Sequence, residues 1–188
     1  MQRGFTIVEL LIVIVVIGIL AAISLVTYNG IQDKARDAKR TATVDAYEKI
    51  LLIYKAQHGY FPQVGENAYC LGNRDDYPAR DGFAEGACYV MSYNGTVYQT
   101  ESVVEPFNGE LQKVSSGRLP TGAYPPYSVN TPDGVVLHMR GVIVAPQGDN
   151  KMQIFYYSKD DGSPCGGRME KDTDASMSGV KACSIFIN

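Results

Sequence analysis

The stretch from Phe5 to Val26, FTIVELLIVIVVIGILAAISLV, most constrains what this chain can fold into. Among its 22 residues Glu9 is the one ionisable side chain, with Thr6 and Ser24 the other polar ones. As a helix the run reaches ~33 Å, enough for the ~30 Å hydrocarbon core of a bilayer. A membrane-crossing helix with a charge in it is therefore expected. A carboxylate at the bilayer centre costs about 3 kcal/mol on insertion scales, and such groups usually face protein and find a partner. Glu9 sits near the start of the run, at head-group depth, where a lone anchor would tolerate it. A secretory signal peptide is the other reading, with Ala21 and Ala22 mimicking a cleavage site. Its apolar region would span only about 7 to 15 residues, however, and this run is longer and contains an acid.

The residues in front of the run sharpen this. MQRGFTIVELLIVIVVIGILAA, with Gly4 before Phe5 and Glu9 four residues further on, resembles the processing site of the type IV pilin family, also called class III signal peptides. The resemblance reaches to about Pro62. It implies that a prepilin peptidase cuts between Gly4 and Phe5 and methylates the new amino terminus at Phe5. Residues 5 and 9 are one helical turn apart, so the new amine and the Glu9 carboxylate can neutralise each other. In a bundle Glu9 can instead meet the Phe5 amine of a neighbour, where low dielectric makes a missing partner expensive. Phe5 and Glu9 are thus the expected assembly residues, setting the axial register between subunits. Many type IVa pilins have a proline near the end of the membrane half; here that position holds Val26, and Gly18 and Asn29-Gly30 are the nearest helix weakeners.

With 188 residues, 45% apolar and 20% charged, and a net charge of -3, the chain has room for one anchor and one modest head. Four segments are expected: a leader (1–4), a membrane and polymerisation helix (5–30), an amphipathic helix packing on the head (31–58), and a β-rich head (59–188). In the third, Ile31, Ala35, Ala38, Ala42, Ala46, Ile50 and Ile53 recur at helical spacing, with Tyr47, Leu51 and Tyr54 beside them. Lys34, Arg36, Asp37, Lys39 and Arg40 fall on the opposite face. Gly59 is a good C-terminal cap, with Pro62 just beyond.

Cys70, Cys88, Cys165 and Cys183 all lie beyond the helix, and none has CxxC spacing. Four cysteines permit three pairings. The favoured one joins Cys70 to Cys88 and Cys165 to Cys183, each closing a loop worth ~3 kcal/mol in the entropy model. Disulfides place the head in an oxidising exterior, although the basic residues after the apolar run, counted alone, would favour the cytoplasm. The Cys165–Cys183 segment also resembles the disulfide-bounded C-terminal loop of many pilins.

Within the head, ACYVMSYNGTVYQT reads as a hairpin about Asn94-Gly95. Val103–Ser116 reads as a short helix, LPTGAYPPY as a loop by its prolines, and VVLHMRGVIVA, KMQIFYYS and KACSIFIN as three strands. A long helix on an antiparallel sheet is an α+β arrangement, and it resembles the pilin fold.

Signals for catalysis are absent: His58 and His138 have no ligand-spaced partners, and there is no phosphate-binding Gly-Lys-Ser/Thr loop, HExxH or GxSxG. Some pseudopilins bind calcium in the C-terminal region, where this chain has Asp160, Asp161, Asp172 and Asp174. Acids in a Gly-rich loop are usually just solvated, so no metal or cofactor is expected. Residues 63–188 carry 10 Lys and Arg against 15 Asp and Glu, which argues against nucleic acid as a partner. The resemblance implies a non-enzymatic subunit stored in the membrane, processed by prepilin peptidase, and polymerised by an assembly platform. The product would be a type IV pilus for adhesion or twitching motility. A pseudopilin of a type II secretion or DNA-uptake machine, or a single-pass anchored protein that never assembles, are the alternatives.

Overall fold

The structure, a computed structural model, describes residues 6–62, 65, 67–131, 133–160, 162, 164–172 and 180–188. Of residues 23–30, 32, 33, 159 and 172 it describes the backbone alone. The chain divides into two compact units, one up to Asp37 and one from Ala38 onward.

Helix α1 (Ile7–His58) spans the division. It stops where Gly59 adopts a φ of +81°, and the Gly59 N–H donates to the Lys55 carbonyl at 2.7 Å, a left-handed cap that glycine supplies without steric cost. The head then runs β1 (Tyr69–Cys70), β2 (Ala87–Tyr93), β3 (Thr96–Ser102), α2 (Glu105–Val114), β4 (Ala123–Asn130), β5 (Val135–Gly141), β6 (Ile143–Pro146), β7 (Met152–Lys159), β8 (Glu170–Asp172) and β9 (Val180–Ile187). The strands form a five-stranded sheet of order β1-β6-β7-β9-β8 and a four-stranded sheet of order β3-β2-β5-β4. Their pairings are antiparallel.

One face of the five-stranded sheet builds the main core. Met152, Ile154 and Tyr156 alternate along β7 and stand opposite Ile187, Ile185 and Cys183 of β9. All six pack with Val44, Tyr47 and Leu51 of α1 and with Phe107 and Leu111 of α2. The period of two on strands and of three to four on helices puts these residues on facing surfaces. A second core, with Tyr77, Tyr89, Leu137, Met139, Ile143 and Val180, lies where the four-stranded sheet meets the other.

The structure departs from expectation in three places. The head-facing side of α1 is Arg40, Val44, Tyr47, Glu48, Leu51 and Tyr54, while Ala38, Ala42 and Ile53 stay exposed. Aromatic and branched side chains fill the space above the sheet better than alanine does, so they set the rotation of the helix. The segment Val135–Ala145 is two strands in different sheets, broken at Val142. A Cβ on Gly141 would stand 2.6 Å from both the Cys88 Cβ and the Tyr77 hydroxyl, so the chain passes through a gap only glycine fits. Finally, the proline-rich stretch is largely strand: Pro125 and Pro126 lie in β4, between the pairs Ala123–Gly141 and Tyr127–Met139, where the register shifts. β4 is an edge strand, the one sheet position that tolerates residues lacking N–H donors.

Candidate functional site

Gly4 and Phe5, the expected cleavage and methylation residues, lie outside the described residues. Immediately after them the first helical turn is built by two side chains. The Thr6 N–H and the Thr6 hydroxyl both donate to Glu9 Oε2, each at 2.8 Å, and the Glu9 N–H donates to Thr6 Oγ1 at 3.3 Å. This is a reciprocal capping box: it satisfies orphan N–H groups and holds the carboxylate over the positive end of the helix dipole. Thr6-x-x-Glu9 is a readable box signature that the charge-centred reading of Glu9 passed over.

Beyond this turn, the large apolar side chains from Ile7 to Leu20 are each 48–81% exposed. Among the described residues no helix is long and apolar enough to cross a membrane.

In the head, disulfides and buried cations tie the elements together. Cys70 is bonded to Cys88 with Cα atoms 5.8 Å apart, linking β1 of one sheet to β2 of the other. Cys165 is bonded to Cys183 with Cα atoms 5.6 Å apart, fastening the loop before β8 to β9. That loop lies on α1. A Cβ on Gly166 would approach Thr41 Oγ1 to 2.3 Å, and the Arg168 guanidinium donates to both carboxylate oxygens of the largely buried Glu48. The bond to Glu48 raises the Arg168 pKa.

Arg140 on β5 is almost wholly buried. It donates to the carbonyls of Pro78 (2.6 Å), Ala84 (3.1 Å) and Ala87 (2.8 Å), and its guanidinium lies 4.3 Å from the Phe83 ring centre. The loop before β2 is moulded around this one cation. Burial lowers the Arg140 pKa. Arg40, placed by sequence on the solvent side of α1, instead stacks 4.3 Å from the Tyr124 ring centre.

The other residues considered for chemistry are spent on structure. His58 stacks on Tyr54 with ring centres 4.1 Å apart. His138 Nδ1 is hydrogen-bonded to Ser128 Oγ at 2.7 Å. Asp160 accepts from Lys171 Nζ at 2.7 Å and from the Gly162 N–H at 3.1 Å, both of which lower its pKa. Asp161, Asp174 and the Asp172 side chain lie outside the described residues. Among the described residues no cluster of three His, Cys, Asp or Glu is placed to hold a metal.

Residues 1–25 match the family described as the prokaryotic N-terminal methylation motif. The chain is 33% identical over 118 residues to type II secretion system core protein G of Aeromonas hydrophila, covering 63% of this chain and 76% of that protein. The chain belongs to the type IV pilin-like family. Within it, the core protein G of Escherichia coli K12 is 29% identical over 133 residues, covering 71% of this chain and 83% of that protein. Type IV major pilin protein PilE1 of Neisseria gonorrhoeae is 32% identical over 68 residues, covering 36% of this chain and 41% of the pilin. No solved structure matches. The α+β architecture is the pilin-like fold, and the chain is a structural subunit rather than an enzyme.

Proposed function

We propose that the chain is the structural subunit of a type IV pilus. It would be stored in the membrane through residues 5–30, cut by prepilin peptidase between Gly4 and Phe5, methylated at Phe5, and polymerised by an assembly platform. The observation that carries the reading is the methylation motif over residues 1–25, followed by a helix whose large apolar side chains from Ile7 to Leu20 are each 48–81% exposed. Such a helix needs lipid or neighbouring helices around it. Exchanging one for the other costs little hydrophobic energy, because both are equally apolar.

In this reading the Thr6–Glu9 box has a second use. Both Thr6 donors converge on Oε2, which leaves Oε1 to a Phe5 amine, of the same chain or of a neighbour. Methylation keeps the charge on that amine. Contacts of this head-to-tail kind do not close on themselves, so they generate a filament. The Cys165–Cys183 loop supports the pilus reading through its likeness to the disulfide-bounded C-terminal loop of many pilins. The breadth of the match to core protein G, 118 and 133 residues against 68 for PilE1, favours a second reading as a type II secretion pseudopilin.

Mass spectrometry of filaments sheared from cells tests both. A chain beginning at methylated Phe5, abundant in the sheared fraction and four protons lighter than the reduced chain, is the expected result. The processed chain present only in membranes at low abundance would move the assignment to a pseudopilin. Retention of Met1–Gly4 would sink both.

A further inference from the structure

The irregularity in β4 opens a cleft beside the buried cation of β5. The register shifts between the pairs Ala123–Gly141 and Tyr127–Met139, so three residues of β4, Tyr124, Pro125 and Pro126, stand opposite one of β5, Arg140. The two prolines have no N–H to give the ladder, so the strands part there, and bulges of this kind often border binding sites. Here they edge a cleft of about 330 Å³. Arg140, 2% exposed, forms its floor. A guanidinium has five N–H donors. Arg140 gives one each from Nε, Nη1 and Nη2 to the carbonyls of Ala87, Pro78 and Ala84, and the second N–H on each Nη remains. Lys39 and Arg80 are exposed at the rim, and Lys39 has no ion-pair partner among the described residues.

Two carboxylates share the cleft. Asp76 Oδ2 accepts from the Asn73 N–H at 3.0 Å and from Asn73 Nδ2 at 3.4 Å, which leaves Oδ1. Asp81 stands 3.7 Å from Arg80 Nε at the rim. Three cations against two acids leave one positive charge in excess, in a head whose residues 63–188 carry 10 basic and 15 acidic side chains.

We propose that this cleft binds a sugar acid, a pyranose ring bearing one carboxylate. An excess of one charge suits a monoanion, whereas a phosphate dianion would be repelled by Asp76 and Asp81. The carboxylate takes the spare Nη donors of Arg140 and the Lys39 ammonium, charge-assisted bonds of the stronger kind. Ionised carboxylates only accept, so Asp76 and Asp81 need hydroxyl groups on the same ligand. Pro125 and Pro126, both exposed, give the C–H face of the ring an apolar wall. The volume lies near the lower end of the ~300–1,000 Å³ usual for ligand sites, which suits one ring rather than a length of peptide. The site stands on the head alone and does not depend on polymerisation.

Arg140 also holds the loop before β2, so the test spares it. Calorimetry on the full chain in detergent compares glucuronate with glucose, acetate and inorganic phosphate. Glucuronate should bind, and glucose and acetate each about tenfold more weakly or worse, because each lacks one set of charged hydrogen bonds. Lys39→Glu should weaken glucuronate about tenfold, while Lys151→Glu, the same change of charge on the exposed β6–β7 turn, leaves it unchanged. A galacturonate trimer binding more tightly than the monomer identifies the source as an acidic polysaccharide, and equal binding identifies a free sugar acid; either supports the site. No binding of glucuronate overturns the proposal, as does acetate or phosphate binding as tightly, or an equal loss in the two lysine variants. Absence of filaments with glucuronate binding intact would sink the pilus reading and leave the cleft standing.

Discussion

The large apolar side chains between Ile7 and Leu20 are each at least 48% exposed, whereas Val44, Tyr47 and Leu51, on the same helix, are completely buried. Both stretches are helical, and they differ in what surrounds them. The first is held in shape by backbone hydrogen bonds and one capping box, and its large apolar side chains stay about half or more exposed along its length. The second is held by its own sheet, by two disulfides and by buried cations. A helix can therefore be specified either by its own head or by partners yet to arrive, and substitutions separate the two cases.

The largest effect is expected at Glu9. Glutamine keeps the box geometry, since its amide oxygen can accept from Thr6, but it loses the charge. Glu9→Gln should remove the subunit from sheared filaments while leaving the thermal unfolding of the head unchanged. Normal incorporation would reduce Glu9 to a helix cap. Replacing Cys165 and Cys183 together by alanine should do the reverse, lowering head stability by about 3 kcal/mol as the loop-closure constraint is lost. Denaturant unfolding followed by tyrosine fluorescence measures this. An unchanged midpoint would assign the C-terminal loop's order to Glu48–Arg168 and the Gly166 contact instead.

How much of this was readable in the sequence follows the same division. Features set by local chemistry were legible. The hairpin turns at Asn94 and Gly95, with φ of +49° and +79°, as the left-handed preference of that pair dictates. α1 stops at His58, before Gly59, and α2 forms despite Pro106 because a proline in the first turn loses no helical hydrogen bond. Features set by packing were not legible. Nothing local marks Val142 as the point where the chain changes sheets; the crowding of Cys88 and Tyr77 on Gly141 does. Arg40 and Arg140 look like surface cations until aromatic rings and carbonyls gather round them. At the candidate site, Glu9 was found by its charge, and its bonds with Thr6 within the first helical turn were overlooked.

Arg140 offers a sharper test of the head. Arg140→Met fills similar volume but strips a hydrogen bond from each of three carbonyls. The loss is partly offset because no charge need be buried. A destabilisation of about 2 kcal/mol is expected, and Arg140→Lys should not restore stability, since an ammonium cannot reproduce a planar fork reaching three acceptors. Full rescue by lysine would mean that charge, not geometry, holds the loop before β2.

The smallest effect is expected where α1 meets α2. The Tyr54 hydroxyl donates to Glu110 Oε2 at 3.1 Å. Burial, then this bond and the Glu110 charge, push the Tyr54 pKa up to about 12, while Lys113 first and Tyr54 second lower that of Glu110. The two shifts act at opposite ends of the pH scale. Tyr54 favours its neutral form in the folded head, so its contribution is complete below the free tyrosine value of 10 and disappears as pH rises toward 12. Glu110 favours its ionised form, so its contribution is complete above 4.5 and fades as pH falls through its lowered folded value. Tyr54→Phe should therefore cost about 1 kcal/mol at neutral pH and make the alkaline limb of the stability profile shallower by Tyr54's share, while Tyr47, Tyr77, Tyr89 and Tyr124, whose pKa values burial also raises, keep the rest of it. The acid limb should remain largely in place, because Lys113 still holds the Glu110 carboxylate. A profile that loses both limbs together would mean that Lys113 reaches Glu110 only when Tyr54 positions it, making the three residues one unit.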